Sequence, residues 1–230
     1  MAKKSVCLLS GGLDSSVTLA IAKSEGYEIY ALTFIYGQTH SKEVESSKKV
    51  AMYFGVEEHK IVNLDLSGIV KSALTSDLEI PTGRTTEEIV GCEEIPPTYV
   101  PGRNIIFLSL ALAYAETIDA DSIFIGSNAI DFSGYPDCRP EFFEKFRELI
   151  EVGTKRGVEG KPIEIKTPII NLTKAEIIKR GLSLGVPFEL TWSCYLGKEK
   201  ACGKCDSCVL RLKGFREVGY EDPIEYEDSI

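Results

Sequence analysis

Ser10-Gly11-Gly12-Leu13-Asp14-Ser15-Ser16 follows the apolar run Val6-Cys7-Leu8-Leu9 and opens an alanine-containing amphipathic stretch. The order reads as buried strand, small-residue loop and helix start. Glycines admit backbone conformations and close approaches that a Cβ forbids, so amide N–H groups can converge on an anion, and the helix N-terminus adds partial positive charge. The loop therefore reads as a phosphate cradle. A Walker loop needs Lys and Ser/Thr after its last glycine, and a dinucleotide fingerprint needs G-x-G-x-x-G; neither pattern is here. The competing reading, a glycine turn with capping serines, explains the same residues without a ligand.

Outward from this loop the pattern alternates. A helix from Ser15 to Glu25 ends at Gly26, Ile29 to Tyr36 forms a second strand, Ser41 to Phe54 a helix closed by Gly55, and Lys60 to Leu64 a third strand. Such alternation predicts an α/β fold, a parallel sheet with helices on both faces. A short helix is expected over Asp65 to Ala73, and the proline-rich stretch Thr75 to Gly102 reads as a long functional loop, a lid or an interface. Further helices are expected from Asn104 to Thr117, from Glu141 to Gly153 behind Pro140, and from Thr173, whose spacing to Glu176 is that of a capping box. Ser122 to Gly126 and Ile163 to Lys166 supply two more strands.

With 230 residues and 43% hydrophobic content the chain can bury a full core. Its organisation reads as a main domain over residues 1–186, a cysteine-bearing extension over 187–220 and a loosely held acidic tail over 221–230. Met1-Ala2-Lys3-Lys4-Ser5 runs directly into a core strand, and no apolar stretch reaches the ~18 residues of a membrane span, so a cytoplasmic protein without membrane partners is expected. A net charge of −9 argues against sequence-independent binding to a phosphate backbone and favours small-molecule substrates over direct nucleic-acid contact.

Cys194, Cys202, Cys205 and Cys208 are spaced C-x7-C-x2-C-x2-C, with Gly203 inside a knuckle. Ligand type and spacing admit tetrahedral zinc or an iron–sulfur cluster, and four free thiols is the bland alternative. A closed four-cysteine site has no open position, so its role would be structural, holding a C-terminal helix from Cys205 to Glu217. Cys7 reads as an ordinary core residue, and Cys92 and Cys138 have no matching partners.

Asp131-Phe132-Ser133-Gly134-Tyr135-Pro136-Asp137-Cys138-Arg139-Pro140-Glu141-Phe142 follows the fourth strand at its carboxyl end, where open α/β sheets place ligands. Its mixture of carboxylates, tyrosine and arginine offers donors and acceptors to a planar heterocycle. A polar loop capping the next helix accounts for it equally well.

The fixed positions Ser10, Gly11, Gly12, Asp14 and Ser15 match SGG-x-DS, and the loop resembles the PP-loop of N-type ATP pyrophosphatases. Together with Tyr36-Gly37-Gln38 and His40, Val100-Pro101-Gly102-Arg103-Asn104, the Ser133 to Phe142 segment and the four cysteines, essentially the whole chain is similar to the 7-cyano-7-deazaguanine synthase (QueC) family. The resemblance implies an open doubly wound parallel sheet of the adenine nucleotide α-hydrolase-like kind, with a small zinc-binding extension. It implies an ATP-dependent ligase that turns 7-carboxy-7-deazaguanine and ammonia into 7-cyano-7-deazaguanine with two ATP per turnover, a precursor of queuosine and archaeosine. It also implies Mg²⁺, one structural Zn²⁺ on the four cysteines, a homodimer, and nitrogen taken up as free ammonium.

On that resemblance Leu8, Leu9, Ser10, Gly11, Gly12, Leu13, Asp14, Ser15, Ser16, Val17 and Thr18 surround the nucleotide, with Asp14 the candidate magnesium contact. Arg103 and Lys174 are the candidate phosphate cations, His40 a candidate proton carrier, and Asp131, Tyr135, Asp137 and Arg139 the substrate-side residues. His59 reads as structural. The rival is another adenylating PP-loop enzyme acting on tRNA, thiolating or lysidine-forming. An interaction module that merely keeps a nucleotide fold is the third reading.

Overall fold

The computed structural model describes all residues except 1, 39–41, 67, 77, 92–93, 131–133, 197–198 and 228–230. Its first strand, β1 (Lys4–Leu8), leads through the glycine loop into α1 (Leu13–Ser24), then β2 (Glu28–Ile35), α2 (Lys42–Phe54) and β3 (Glu58–Asn63). There follow α3 (Thr86–Val90), α4 (Arg103–Thr117), β4 (Ser122–Phe124), α5 (Pro140–Gly153), α6 (Lys155–Val158), β5 (Glu164–Lys166), α7 (Lys174–Ser183) and α8 (Asp206–Val218).

The five strands are parallel in the order β3-β2-β1-β4-β5, with Val6 of β1 opposite Tyr30 on one side and Ile123 on the other. The chain thus winds outward from β1 in one direction, then returns to lay β4 on its other side. That reversal leaves a crevice at the carboxyl ends of β1 and β4, where the flanking loops diverge.

Period-two alternation along β1 divides the core. Val6 and Leu8 face α4 and α5 through Leu108, Ala111, Phe143 and Ile150, whereas Cys7 and Leu9 face Leu19 and Ala22 of α1 and Val50 of α2. Cys7 is the core residue expected, its thiol pushed up to about 12 by desolvation. A third cluster joins Leu13, Val17 and Ile21 of α1 to Ile177, Ile178 and Phe215, so α7 and α8 close over the outer side of α1. Each such fully buried side chain contributes about 1.5–3 kcal/mol, more than any exposed ion pair on the surface.

The capping box at Thr173 is present: Glu176 N donates to Thr173 Oγ1 at 3.3 Å and Thr173 N to Glu176 Oε2 at 2.8 Å. The helix expected over 65–73 is not formed among the described residues. Val70 N reaches Leu66 O at 3.0 Å, but Ala73 N is taken by Pro97 O at 2.8 Å, so the backbone there pairs with the returning loop rather than with itself. The tail also departs from expectation. Asp222 is buried against Arg211, and Ala201 N and Glu227 N exchange ladder-like bonds with Glu225 O and Ala201 O. Among the described residues no helix is long and apolar enough to cross a membrane.

Candidate active site

The glycine loop is held from two sides. Gly11 has φ +87°, and a Cβ there would lie 2.3 Å from Glu43 O and 2.5 Å from Ser47 N, so only glycine lets the backbone of α2 close on the loop. Within the loop, Ser10 N donates to Ser15 Oγ (3.2 Å), Gly12 N donates to Ser10 Oγ (3.2 Å), and the two serine hydroxyls are 3.0 Å apart. These bonds hold the Ser10 and Ser15 hydroxyls at the positive end of α1, an arrangement suited to an anion.

Around this loop lies a cleft of about 240 Å³ at the carboxyl ends of β1 and β4. Its near wall carries Ser10, Gly12, Asp14 and Ser15. Gly126, just after β4, permits the walls to meet, since a Cβ there would lie 3.0 Å from the carbonyl of Asp14. The lining also includes Tyr36, Glu43, Arg103, Phe107, Tyr135 and Tyr195. Phe107 stacks on Phe34 with centroids 4.2 Å apart and meets Tyr36 edge-on at 5.4 Å, giving an apolar, planar-sided slot beside polar groups.

Charge is concentrated in three places. Lys174 Nζ lies 2.7 Å from Asp14 Oδ1, joining the starts of α7 and α1. Burial works against the Arg103 guanidinium, but Tyr36, Cys138, Tyr135 and Asp137 around it outweigh that and hold its affinity for the proton above the ordinary value. Burial pushes the Glu43 carboxyl up to about 7, with Arg103 opposing and Cys194 reinforcing the shift.

The four cysteines form a second centre beside the cleft. Their sulfurs lie within 4.8 Å of one another and all four residues are buried. Cys202 Sγ accepts from Lys204 N at 3.4 Å and from Cys205 N at 3.3 Å, the N–H···S knuckle that Gly203 at φ +68° makes possible. The loop of residues 75–102 is stitched to this knuckle. Thr82 bridges Cys205, Gly83 N donates to Lys204 O at 2.9 Å, and Arg84 pairs with Asp206. Its returning segment then reaches the cleft, where Thr98 Oγ1 and Tyr135 Oη are 2.7 Å apart.

The family model of the queuosine biosynthesis protein QueC matches residues 4–219. The chain belongs to the QueC family. It is 60% identical to the 7-cyano-7-deazaguanine synthase of Thermoplasma acidophilum, over 98% of this chain and 92% of that protein. It is 57% identical to the protein of the same name from Acetivibrio thermocellus, over 97% and 98% of the two chains. The structure of NMN synthetase from Francisella tularensis, 15% identical, superposes with a TM-score of 0.50, covering 96% of this chain and 79% of that one. At that identity the likeness concerns the α/β fold alone.

In this QueC-family chain the structure gathers Leu8, Leu9, Ser10, Gly12, Leu13, Asp14, Ser15, Arg103 and Tyr135 on one cleft, with Lys174 paired to Asp14. Other expected residues stand elsewhere. Because α1 starts at Leu13, helical rotation turns Ser16, Val17 and Thr18 away from the cleft: Ser16 Oγ donates to Gly12 O, and Val17 packs in the third cluster. Gly11 is closed off by α2. Asp137 does not line the cleft but is buried at the start of α4, accepting from Asn104 N at 3.0 Å, a helix-capping role. Arg139 is an exposed residue at the N-cap of α5 and does not line the cleft. His40, Asp131 and Cys92 lie outside the described residues. His59 does what a structural histidine would, with Nε2 2.8 Å from Thr33 Oγ1.

Sequence reading of the QueC-family chain passed over Glu43, Phe107, Trp192 and Tyr195, all on the cleft. Glu43 sits on a helix dense in charge, where nothing local separates one carboxylate from its neighbours. Tyr195 and Trp192 flank Cys194, and that adjacency is the one signal that would have placed them near a site.

Proposed function

We propose that the chain is an ATP-dependent ligase that converts 7-carboxy-7-deazaguanine and ammonium into 7-cyano-7-deazaguanine, releasing two AMP and two pyrophosphates. The observation that carries the reading is one cleft at the sheet's reversal point in which a hydroxyl-lined glycine loop faces an aromatic slot rimmed by Arg103, Glu43 and Tyr135. The chemistry needs such a pairing. A carboxylate is a poor electrophile until one oxygen becomes a leaving group, which adenylation by a first ATP supplies. Ammonia then yields an amide, and a second ATP activates the amide oxygen so that loss of AMP leaves the nitrile. No protein nucleophile is required, so the protein contributes alignment and charge neutralisation.

The loop from Ser10 to Ser15 would hold the β,γ-pyrophosphate, leaving the α-phosphorus open towards the slot. Arg103 would sit against the phosphate or carboxylate charge, and Phe107 and Tyr36 against the flat ring. Asp14, a hard oxygen donor at the cleft next to Lys174, fits Mg²⁺, which is commonly held by one or two carboxylates plus substrate phosphates and supplies charge neutralisation when bound. The four sulfurs within 4.8 Å fit one tetrahedral ion, since Zn–S bonds of about 2.3 Å give sulfur–sulfur edges near 4 Å. In a four-iron cluster each cysteine binds a different iron and the sulfurs stand further apart, which favours zinc.

Purified protein with ATP, Mg²⁺, ammonium and the carboxylate, followed by mass spectrometry, should give the amide and then the nitrile. An adenylate formed only on tRNA would instead support the tRNA-modifying reading.

A further inference from the structure

The nitrogen of the proposed reaction enters as ammonium with four N–H bonds and ends in a nitrile with none. Protons must therefore leave the same atom in both halves of the reaction, and ammonium has no lone pair until the first has gone. An acceptor is needed within the cleft.

Among the described residues the cleft offers few. Arg103 is a cation, and its phenols and serine hydroxyls are weak bases. Both oxygens of Asp14 are engaged by Lys174, at 2.7 and 2.9 Å. Cys138 receives Asn104 Nδ2–H at 3.3 Å, and burial pushes its thiol up to about 11, so it stays protonated. Glu43 is different. Among the described residues its carboxylate has neither a hydrogen-bond nor an ion-pair partner, yet it lines the cleft. It stands in the first turn of α2, whose backbone is pressed on Gly11, so the carboxylate is carried by the same contact that shapes the phosphate loop. The groups around it are Tyr36 of β2, Arg103 of α4 and Cys194 of the cysteine segment.

We infer that Glu43 is the catalytic proton acceptor for the incoming ammonium, a role that rests on the ligase reading above. The Glu43 carboxylate takes one proton from ammonium. The freed lone pair forms the C–N bond to the carbonyl carbon of the acyl adenylate while the C–O bond to AMP breaks, its electrons leaving on the AMP phosphate. Glu43 then releases its first proton to solvent and, ionised again, takes the surplus proton from the new amide nitrogen. After the second adenylation, the nitrogen gives up its last two protons in turn to the ionised Glu43 carboxylate, which passes each to solvent, as the remaining C–O bond to AMP breaks with its electrons on the AMP phosphate and the triple bond forms.

The test uses the full, metal-loaded chain and two nucleophiles: ammonium, which must lose a proton before attack, and hydroxylamine, which is neutral at neutral pH. In Glu43→Gln, amide formation from ammonium should fall about 100-fold, the low end of general-base effects, whereas hydroxamate formation should fall less than about tenfold. Glu43→Asp, which keeps the base, should recover part of the ammonium rate. Equal losses with both nucleophiles would overturn the proposal and make Glu43 a structural or magnesium-holding residue. An unchanged ammonium rate would overturn it as well. Bound zinc and a melting curve identify a variant that has not folded, in which case Glu43→Asp alone decides, by the same ratio of the two rates. If wild-type protein makes neither amide nor hydroxamate from the carboxylate, the ligase reading itself fails, and that result is distinct from any difference between variants.

Discussion

Lys174 Nζ bridges both carboxylate oxygens of Asp14, at 2.7 and 2.9 Å, across a sequence separation of 160 residues. Each residue belongs to the first turn of its helix, α7 and α1, so two positive helix ends converge on one point beside the cleft. The lysine stem is fixed from behind by α8, where a Cβ on Gly214 would lie 2.6 Å from Lys174 Cγ. On the proposed reading, this cation beside the glycine loop meets charge on a phosphate. Lys174→Met should lower turnover about 100–1000-fold, the range for losing one preorganised electrostatic contact, and Asp14→Ala should lower it at least as far. Both variants should keep their full metal content. Steady-state pyrophosphate release and elemental analysis check the two halves of this expectation.

Metal removal should act first on a segment distant in sequence. The stretch from Thr82 to Arg84 is tied to Cys205, Lys204 and Asp206, so the knuckle clamps the long loop whose other end carries Thr98 to Tyr135. With zinc held as proposed, chelation or Cys205→Ser should release it and open this loop to protease before the sheet unfolds. Cleavage appearing within residues 80–91 while far-ultraviolet circular dichroism is still near native would confirm the order; simultaneous loss of both would contradict it.

How far the sequence carried the fold follows from where its physics is local. Val6 to Leu8 and Ile29 to Ile35 lie in strands because apolar side chains recur there with only Thr33 between them, and Thr173 with Glu176 marks a helix start that the chain forms from its own side chains. The strand–loop–helix turn at Ser10 to Ser15 and the cysteine knuckle are legible in the sequence, since both rest on residues a few positions apart. The substrate-side assignments were not. Asp137 and Arg139 look alike in a polar loop, and only the docking of that loop under α4 turns Asp137 onto Asn104 and leaves Arg139 outside. The tail misled for the same reason. Its acidic composition suits a solvated end, but Asp222 answers a buried arginine eleven residues upstream that nothing in the local pattern announces.

That arginine makes a strong stability prediction. Arg211 is 1% exposed, and its guanidinium donates to both oxygens of Asp222 at 2.6 and 2.9 Å, to Thr191 Oγ1 at 2.7 Å and to Phe188 O at 3.1 Å. It thereby fastens the 188–193 segment, including cleft-lining Trp192 and Ser193, onto α8. Asp222→Ala leaves a buried cation without its counter-charge and should cost about 3–5 kcal/mol, or roughly 6–20 °C in Tm for a chain of this size. The double variant Asp222→Ala, Arg211→Met should recover much of that loss, because the expensive state is the unpaired charge. Thermal melts of the two variants against wild type measure it.

Gly11 and Gly55 separate conformational strain from steric conflict. Both have positive φ, +87° and +58°, but a Cβ on Gly55 meets nothing within 4 Å whereas one on Gly11 meets the backbone of α2 at 2.3 Å. Gly55→Ala should therefore cost about 1–2 kcal/mol, the left-handed penalty alone. Gly11→Ala should cost about 1–3 kcal/mol more, as overpacking does, and should also impair nucleotide use, since α2 must withdraw from the loop. Urea unfolding of the pair gives the difference directly.

Glu43 should also set a pH dependence of stability whose sign is fixed. Its folded carboxyl is raised from the ordinary 4.5 to about 7, so between those values the folded chain holds a proton that the unfolded chain has lost. The contribution of this group is complete below about pH 4.5 and declines as pH rises to 7, each unit being worth about 1.4 kcal/mol. Glutamine cannot ionise, so Glu43→Gln should match wild type near pH 4.5 and exceed it by about 1–3 kcal/mol at pH 8. Burial, the largest cause, sets the direction, while Arg103 opposes and Cys194 adds to it. Denaturant unfolding of both proteins at the two pH values tests this, and a variant less stable than wild type at pH 8 would show that the carboxylate is satisfied when charged. A gain in stability at pH 8 coupled to a loss of amide formation would mark Glu43 as a residue kept for chemistry at the expense of the fold.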